Sequence, residues 1–289
     1  VLSGGAIDKR AARRSFERAA AAYDEAAVLQ REIADRLLER LEYVRLDPRT
    51  ILDLGAGTGY AITALQRRFR KAQIIALDFS LAMLERARSR GTWLHRPRCL
   101  CADAEALPLA DATLDLVFSN ATLQWCNDLA RTFEELLRVL RPGALLMFTT
   151  LGPDTLKELR DAWAAADGYS HVSPFLDMHD IGDALMHARF ADPVMETERL
   201  TVTYEGLGDL MHDLRVLGAQ NATLGRPRGL TGRRRFASVK AAYEAHRRQG
   251  RLPASYEVVY GHAWAPQARA ATGGGIYIPV SAIQRRNPA

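Results

Sequence analysis

The chain has 289 residues, 48% hydrophobic and 25% charged, with 39 Lys and Arg against 34 Asp and Glu for a formal charge of +5. These are the proportions of an ordinary globular protein, long enough for one α/β domain with a sizeable insertion. No apolar run reaches the roughly 18 residues of a membrane span, and the three cysteines give neither a disulfide framework nor a zinc spacing.

Residues 8–42 read as helix, with Phe16, Ala19, Ala20 and Tyr23 on one face and Leu29, Ile33, Leu37 and Leu41 on an apolar face further on. The N-terminus VLSGGAIDKRAARRSF lacks the apolar core of a secretion signal. Asp8, Glu17, Asp24 and Glu25 argue against a mitochondrial leader, so a cytoplasmic protein is expected. Asp47-Pro48 breaks the pattern before TILDLGAGTG (50–59), where a β-branched run ends in Asp53 and opens into Gly55, Gly57 and Gly59. Further strands are expected at 72–78, 97–101, 113–120 and 144–151, with helices at 60–70, 80–90 and 128–140 between them. Cys99 and Cys101, two apart in a strand, should share one side and act as small buried hydrophobes, as should Cys126.

Beyond 152 come helices at 153–166 and 178–188, separated by the polar loop GYSHVSPF, and a strand at 193–204. Helices at 206–220 and 233–248 precede a final strand at 255–266. Strands alternating with helices predict a Rossmann-like α/β fold, a seven-stranded, mostly parallel sheet with helices on both faces. Between residues 222 and 251, nine cations face Glu244 alone. This basic helical segment, inserted before the last strand, forms a lid (205–253) whose field would attract an anionic partner.

The loop spacing is D-x-G-x-G-x-G, whereas the dinucleotide fingerprint is G-x-G-x-x-G. It resembles motif I of the class I S-adenosylmethionine (SAM) methyltransferases. Ligands of open α/β sheets bind at the carboxyl edge of the strands, and each strand there ends in a polar residue. Asp53 would order the loop or meet the cofactor's amino-acid portion, while Gly55, Gly57 and Gly59 allow close backbone approach. Asp78 stands at the spacing of an acid that accepts from ribose hydroxyls. Asp103 would accept from the adenine amino group, and Asn120 would lie beside the sulfonium. Ala56, Phe79, Met83, Ala104 and Glu105 flank these positions, and Tyr23 and Gln30 would fold over the cofactor. The bland alternatives are helix caps and turns, since Asp78-Phe79-Ser80 could simply cap the next helix.

A closer resemblance runs nearly the whole length. RRSFERAAAAYDEAAVLQ (13–30), LDLGAGTG (52–59), DFSLAML (78–84), the SNATLQWC segment (119–126), the FTTL segment (148–151) and LMHDLRVLGAQN (210–221) resemble the BioC family, the malonyl-acyl-carrier-protein O-methyltransferases of biotin synthesis. The resemblance implies SAM as methyl donor, S-adenosylhomocysteine as product and a malonyl thioester's free carboxylate as acceptor. Esterification would mask that charge so that fatty-acid enzymes can elongate the chain toward pimelate. A carboxylate is already ionised at neutral pH, so no general base is needed and none is evident.

Arg215 is the first candidate to fix that carboxylate, with His212 and Trp125 as possible neighbours in the same cavity. Arg226, Arg228, Arg233, Arg234 and Arg235 suit docking of an acidic acyl carrier protein, unless they are a solvated face. Nucleic acid is not expected, for no RNA-binding module or aromatic stacking pattern accompanies them. A monomer without a metal is expected. The domain reading is an N-terminal helical segment over the cofactor (1–47), a methyltransferase core (48–204 and 254–266), the lid, and a poorly ordered tail (267–289). MHDIGDALMHARFADPVME also resembles the mitochondrial complex I assembly factors, in which the SAM domain serves arginine hydroxylation of a partner. That branch, and a small-molecule methyltransferase, are the alternatives.

Overall fold

The computed structural model describes residues 5–91, 96–227, 229 and 231–267. Arg228 and the tail from 268 onward lie outside the described residues. Seven strands form one sheet in the order β3-β2-β1-β4-β5-β7-β6. They are β1 (Thr50–Leu54), β2 (Gln73–Asp78), β3 (Arg98–Cys101), β4 (Leu114–Ser119), β5 (Leu140–Leu151), β6 (Ala191–Tyr204) and β7 (Leu252–Trp264). The pairs from β3 to β5 are parallel, and β7 runs antiparallel between β5 and β6.

Helices cover both faces. One face buries Ile33, Leu37 and Leu41 of α3 (Val28–Glu42) with Ile62 and Leu65 of α4 (Ile62–Arg68) and Leu84 of α5 (Leu81–Ala87). The other buries Phe133 and Leu136 of α6 (Leu129–Val139) with Ile181 and Leu185 of α8 (Met178–His187). A strand buried on both faces needs a continuous apolar run rather than alternation, and β1, β4 and the second half of β5 have one.

The single helix expected over 8–42 is three: α1 (Lys9–Ala19), α2 (Tyr23–Ala26) and α3. The breaks swing Asp24 onto the glycine loop, where it accepts from Thr58 Oγ1 at 2.5 Å and from Arg90 Nη2 at 2.5 Å. Contacts this distant in sequence override local helix preference. The helices after β6 are also shorter than expected, α9 (Leu207–Val216) and α10 (Arg233–Glu244). Gly218 ends α9 at φ +68°. There its N–H donates to Arg215 O, and that of Ala219 to Leu214 O, a glycine-terminated helix end.

Alpha-helical cover on the lid side is broader than 205–253. Trp163 and Leu159 of α7 (Lys157–Ala164) share one buried cluster with Leu207, Leu210, Val239 and Tyr243 of α9 and α10. The cysteines correct the reading of small buried hydrophobes. Cys99 and Cys101 are exposed and Cys126 is half-buried. Cys99 and Cys101 do share a side, their Sγ atoms 3.6 Å from Leu84 O and 3.7 Å from Phe79 O, but β3 is the sheet edge and solvent reaches them. Burial pushes the Cys126 thiol up to about 12. Among the described residues no helix is long and apolar enough to cross a membrane, and no group of three or more His, Cys, Asp or Glu could hold a metal ion.

Candidate functional site

The parallel register brings Leu54, Leu77 and Ser119 level, so the loops after β1, β2 and β4 open at one edge. The N–H groups of Gly55 and Ala56 both donate to Leu77 O, at 2.7 and 2.9 Å, which folds the glycine loop back across β2. Gly55 and Gly57 take φ +69° and +54°, the left-handed region that favours glycine. A Cβ on Gly55 would lie 2.0 Å from Thr122 Oγ1, whereas one on Gly57 would meet nothing within 4 Å. The loop is therefore packed on one side and open on the other.

The open side is a cavity. From the loop and the strand ends it is lined by Asp53, Gly55, Ala56, Gly57, Asp78, Phe79 and Met83, with Asp103, Ala104 and Asn120 beyond them. Tyr23 and Gln30 close it from above. Gly59 and Glu105 are absent from this wall. Gly59, at φ +81°, is needed for packing instead, since a Cβ there would stand 2.8 Å from Ile62 Cδ1 and 3.0 Å from Ala87 Cα. Glu105 is spent on Lys9 Nζ, 2.8 Å away, and on the backbone N–H groups of Asn127 and Asp128.

Asp78 accepts from Ser80 N at 2.8 Å and from Gly57 N at 2.9 Å, so one carboxylate orients both the loop and the start of α5. Burial nonetheless raises its pKa to about 6, against these hydrogen bonds that lower it. Asp53 is raised further, to about 7, by burial and then by the neighbouring Asp78 charge. Its Oδ2 is buried without a partner among the described residues. A buried orphan acceptor beside an open, glycine-lined cavity fits a ligand that brings a donor or a positive charge.

Asp103 lines the cavity with Lys9 Nζ 2.7 Å from both of its oxygens, a partner the sequence did not announce. Asn120 is fixed on two sides. Its Oδ1 accepts from Thr149 Oγ1 at 2.8 Å, and its Nδ2 donates to Gln30 O at 3.0 Å. Thr150 Oγ1 donates to Gln124 Oε1 at 3.3 Å, so the SNATLQWC and FTTL segments interlock through their side chains.

A second cavity adjoins the first beneath α7 and α9. Its wall includes Ile33, Leu159, Trp163, His171, Leu214 and Arg215. Phe16, Tyr23, Gln30, Ala121 and Trp125 line both cavities and form the junction between them. Phe16 packs edge-on against Trp125 with ring centroids 5.0 Å apart. Arg215 is exposed on α9, lines this second cavity and has no ion pair among the described residues. His212 is exposed on the outer side of α9 and lines neither cavity.

The basic residues divide. Arg226 is internal, its Nη2 3.1 Å from Asp8 Oδ2 and its Nη1 on the carbonyls of Ala222 and Thr223. Arg235 lies 3.3 Å from Asp167, which also meets His171 Nε2 at 2.9 Å. Arg233 and Arg234 stand exposed at the start of α10 with no ion pair among the described residues. Lys9, Asp24 and His171 belong to the site region yet were not singled out from sequence. Their partners lie across the fold, and only the polar loop around His171 gave a signal.

Residues 52–148 match the methyltransferase domain family. The malonyl-[acyl-carrier protein] O-methyltransferase of Halorhodospira halophila is 54% identical over 286 residues, covering 97% of this chain and 97% of the relative. The YcgJ protein of Bacillus subtilis has the same fold, with a TM-score of 0.58 at 17% identity over 82% of this chain and 99% of its own. A SAM-dependent methyltransferase of Thermotoga maritima matches with a TM-score of 0.52 at 17% identity, over 88% of this chain and 99% of that one.

Proposed function

Since the chain belongs to the malonyl-[acyl-carrier protein] O-methyltransferase family, we propose that it methylates the free carboxylate of a malonyl thioester carried on acyl carrier protein, with SAM as donor. The observation that carries this reading is the junction, where a cavity with an orphaned carboxylate meets a second one lined by an arginine without an ion pair among the described residues. Bound SAM supplies an electrophilic methyl group on a positively charged sulfur. Asp53, Asp78 and the glycine loop would hold it. Ile33, Leu159, Trp163 and Leu214 in the wall of the second cavity would help to exclude water from the acceptor.

With SAM bound, a carboxylate oxygen would form a bond to the methyl carbon as the C–S bond broke, its electron pair staying on sulfur. One negative and one positive charge cancel, and no proton moves. Charge therefore falls on the way to the transition state, which a low-polarity chamber favours over the separated ions. Arg215 attracts the anionic acceptor and has no such hold on the neutral ester, which favours release. MHDIGDALMHARFADPVME, the segment reminiscent of assembly factors, lines neither cavity.

The test is a mass measurement on malonyl-acyl carrier protein incubated with SAM and enzyme. The expected result is a gain of about 14 Da, one CH₂, on the carrier. SAM binding without that gain would overturn the reading. Restored growth of a biotin-requiring strain lacking its own methyltransferase would place the ester at the start of pimelate synthesis.

SAM affinity should fall as pH drops from 8 to 5.5. Asp53 and Asp78, with pKa values of about 7 and about 6, take up protons over that range in the free protein. A cationic ligand prefers the ionised carboxyls and must expel those protons, so Kd rises toward roughly tenfold per pH unit per group below each pKa. Isothermal titration calorimetry checks this, and Asp53→Asn should remove the upper part of the dependence.

For carrier docking, the exposed pair Arg233 and Arg234 carries the expectation, since Arg226 and Arg235 are held in ion pairs with Asp8 and Asp167. Replacing both exposed arginines with Glu should raise KM for the carrier by about tenfold at low salt. The difference should shrink as salt screens the charges. An unchanged KM would assign them to the solvated face.

A further inference from the structure

We propose that Gln30 holds the acceptor carboxylate against the donor through its side-chain amide N–H, a role other than the cofactor contact expected of it. This rests on the carboxylate methylation proposed above. The methyl group passes between the two cavities, so the group that orients the attacking oxygen stands where they meet. Five residues do so: Phe16, Tyr23, Gln30, Ala121 and Trp125. Phe16 and Ala121 have no polar side-chain atom. The Tyr23 hydroxyl is held protonated by burial and by the negative charges of Asp78 and Asp24, which places it on the cofactor side. Trp125 offers one N–H on a ring fixed against Phe16.

Gln30 is left with an unanswered polar group. Its Oε1 is buried without a partner, and its amide makes no side-chain hydrogen bond among the described residues. A half-turn of the amide exchanges oxygen for nitrogen, so the same spot can present an N–H to an anion. The backbone beneath is anchored, because Gln30 O accepts from Asn120 Nδ2 at 3.0 Å and Asn120 is held in turn by Thr149 at 2.8 Å. This ties the first turn of α3 to the tip of β4, so the amide enters the junction from a fixed base.

A neutral donor also suits the chemistry. A cation placed there would bind the carboxylate but repel the positively charged donor a few ångströms away. Arg215 lines only the second cavity and supplies charge from further off. The division of labour is then attraction by Arg215 and orientation by Gln30. In the reaction the oxygen–methyl bond forms, the carbon–sulfur bond breaks with its pair on sulfur, and the amide stays neutral throughout.

The discriminating variant is Gln30→Glu, assayed with malonyl-acyl carrier protein and by SAM calorimetry. Against the acceptor carboxylate, a new negative charge should lower kcat/KM by at least ~100-fold. SAM, being cationic, should bind as well or tighter. Gln30→Ala should lower kcat/KM on the order of 10- to 100-fold, the range for losing a hydrogen bond to a charged group, with melting temperature and SAM Kd near wild type. Tighter SAM binding with unchanged acceptor kinetics would overturn the proposal in favour of a cofactor contact. Parallel loss of SAM binding, acceptor use and thermal stability in both variants would overturn it in favour of packing. Failure of the wild-type protein to methylate the carrier would instead remove the reading beneath it, so the two failures are distinguishable.

Discussion

Gly55→Ala should abolish useful SAM binding and lower the melting temperature strongly, while Gly57→Ala should lower it less and act mainly on binding. Both residues sit at positive φ, a conformation that costs a side-chain-bearing residue about 1–2 kcal/mol. They differ in what a methyl group would meet. At Gly55 it would lie 2.0 Å from Thr122 Oγ1, and Thr122 is itself tied to Leu54 O and Asn120 O. Relieving the clash moves the residue that shapes the tip of β4. With the overpacking penalty of about 1–3 kcal/mol, the total reaches roughly 2–5 kcal/mol. At Gly57 the methyl group projects into open space, so the free protein bears only the backbone cost. Expected Kd increases are more than ~100-fold and more than ~10-fold, on the magnitudes of lost or blocked polar contacts. Calorimetry and thermal melts separate the two. Equal destabilisation would show that the loop is not open on its cavity side.

Arg215→Ala should raise KM for the malonyl carrier by about 10- to 100-fold and leave SAM Kd unchanged. The range follows from losing a charge-assisted hydrogen bond, about 1.5–3 kcal/mol. Arg215 lines the second cavity from α9 and has no ion pair to absorb its charge among the described residues. Arg215→Lys should recover part of the loss, because charge survives while the planar fork does not. Equal loss of acceptor and donor binding would mark the arginine as structural.

The strand-end residues were legible in sequence because local order alone positions them. Once β1, β2 and β4 are parallel and adjacent, Asp53, Asp78 and Asn120 must fall at one edge. The glycine spacing was equally local. What sequence concealed were contacts closed by the fold. Lys9 meets Asp103 across 94 positions, and Asp24 reaches Thr58 across 34. Arg226 looked like one more surface cation in a basic run, yet its partner Asp8 is 218 positions away. His212 failed for a different reason. It shares α9 with Arg215, but a helix shows each cavity only one face. The exposed cysteines show the same limit, since period-two alternation predicts sidedness and says nothing about which strand lies at the edge.

The stretch from Phe16 to Gln30 has a consequence for how the two sites are held. Its side chains wall both cavities, and α1, which carries Phe16, is fastened to the segment after α9 by the ion pair of Asp8 with Arg226 and by close approach of Ser15 O to Gly218. Donor and acceptor therefore share one door frame. The walls of both cavities thus depend on where one short run of backbone is held.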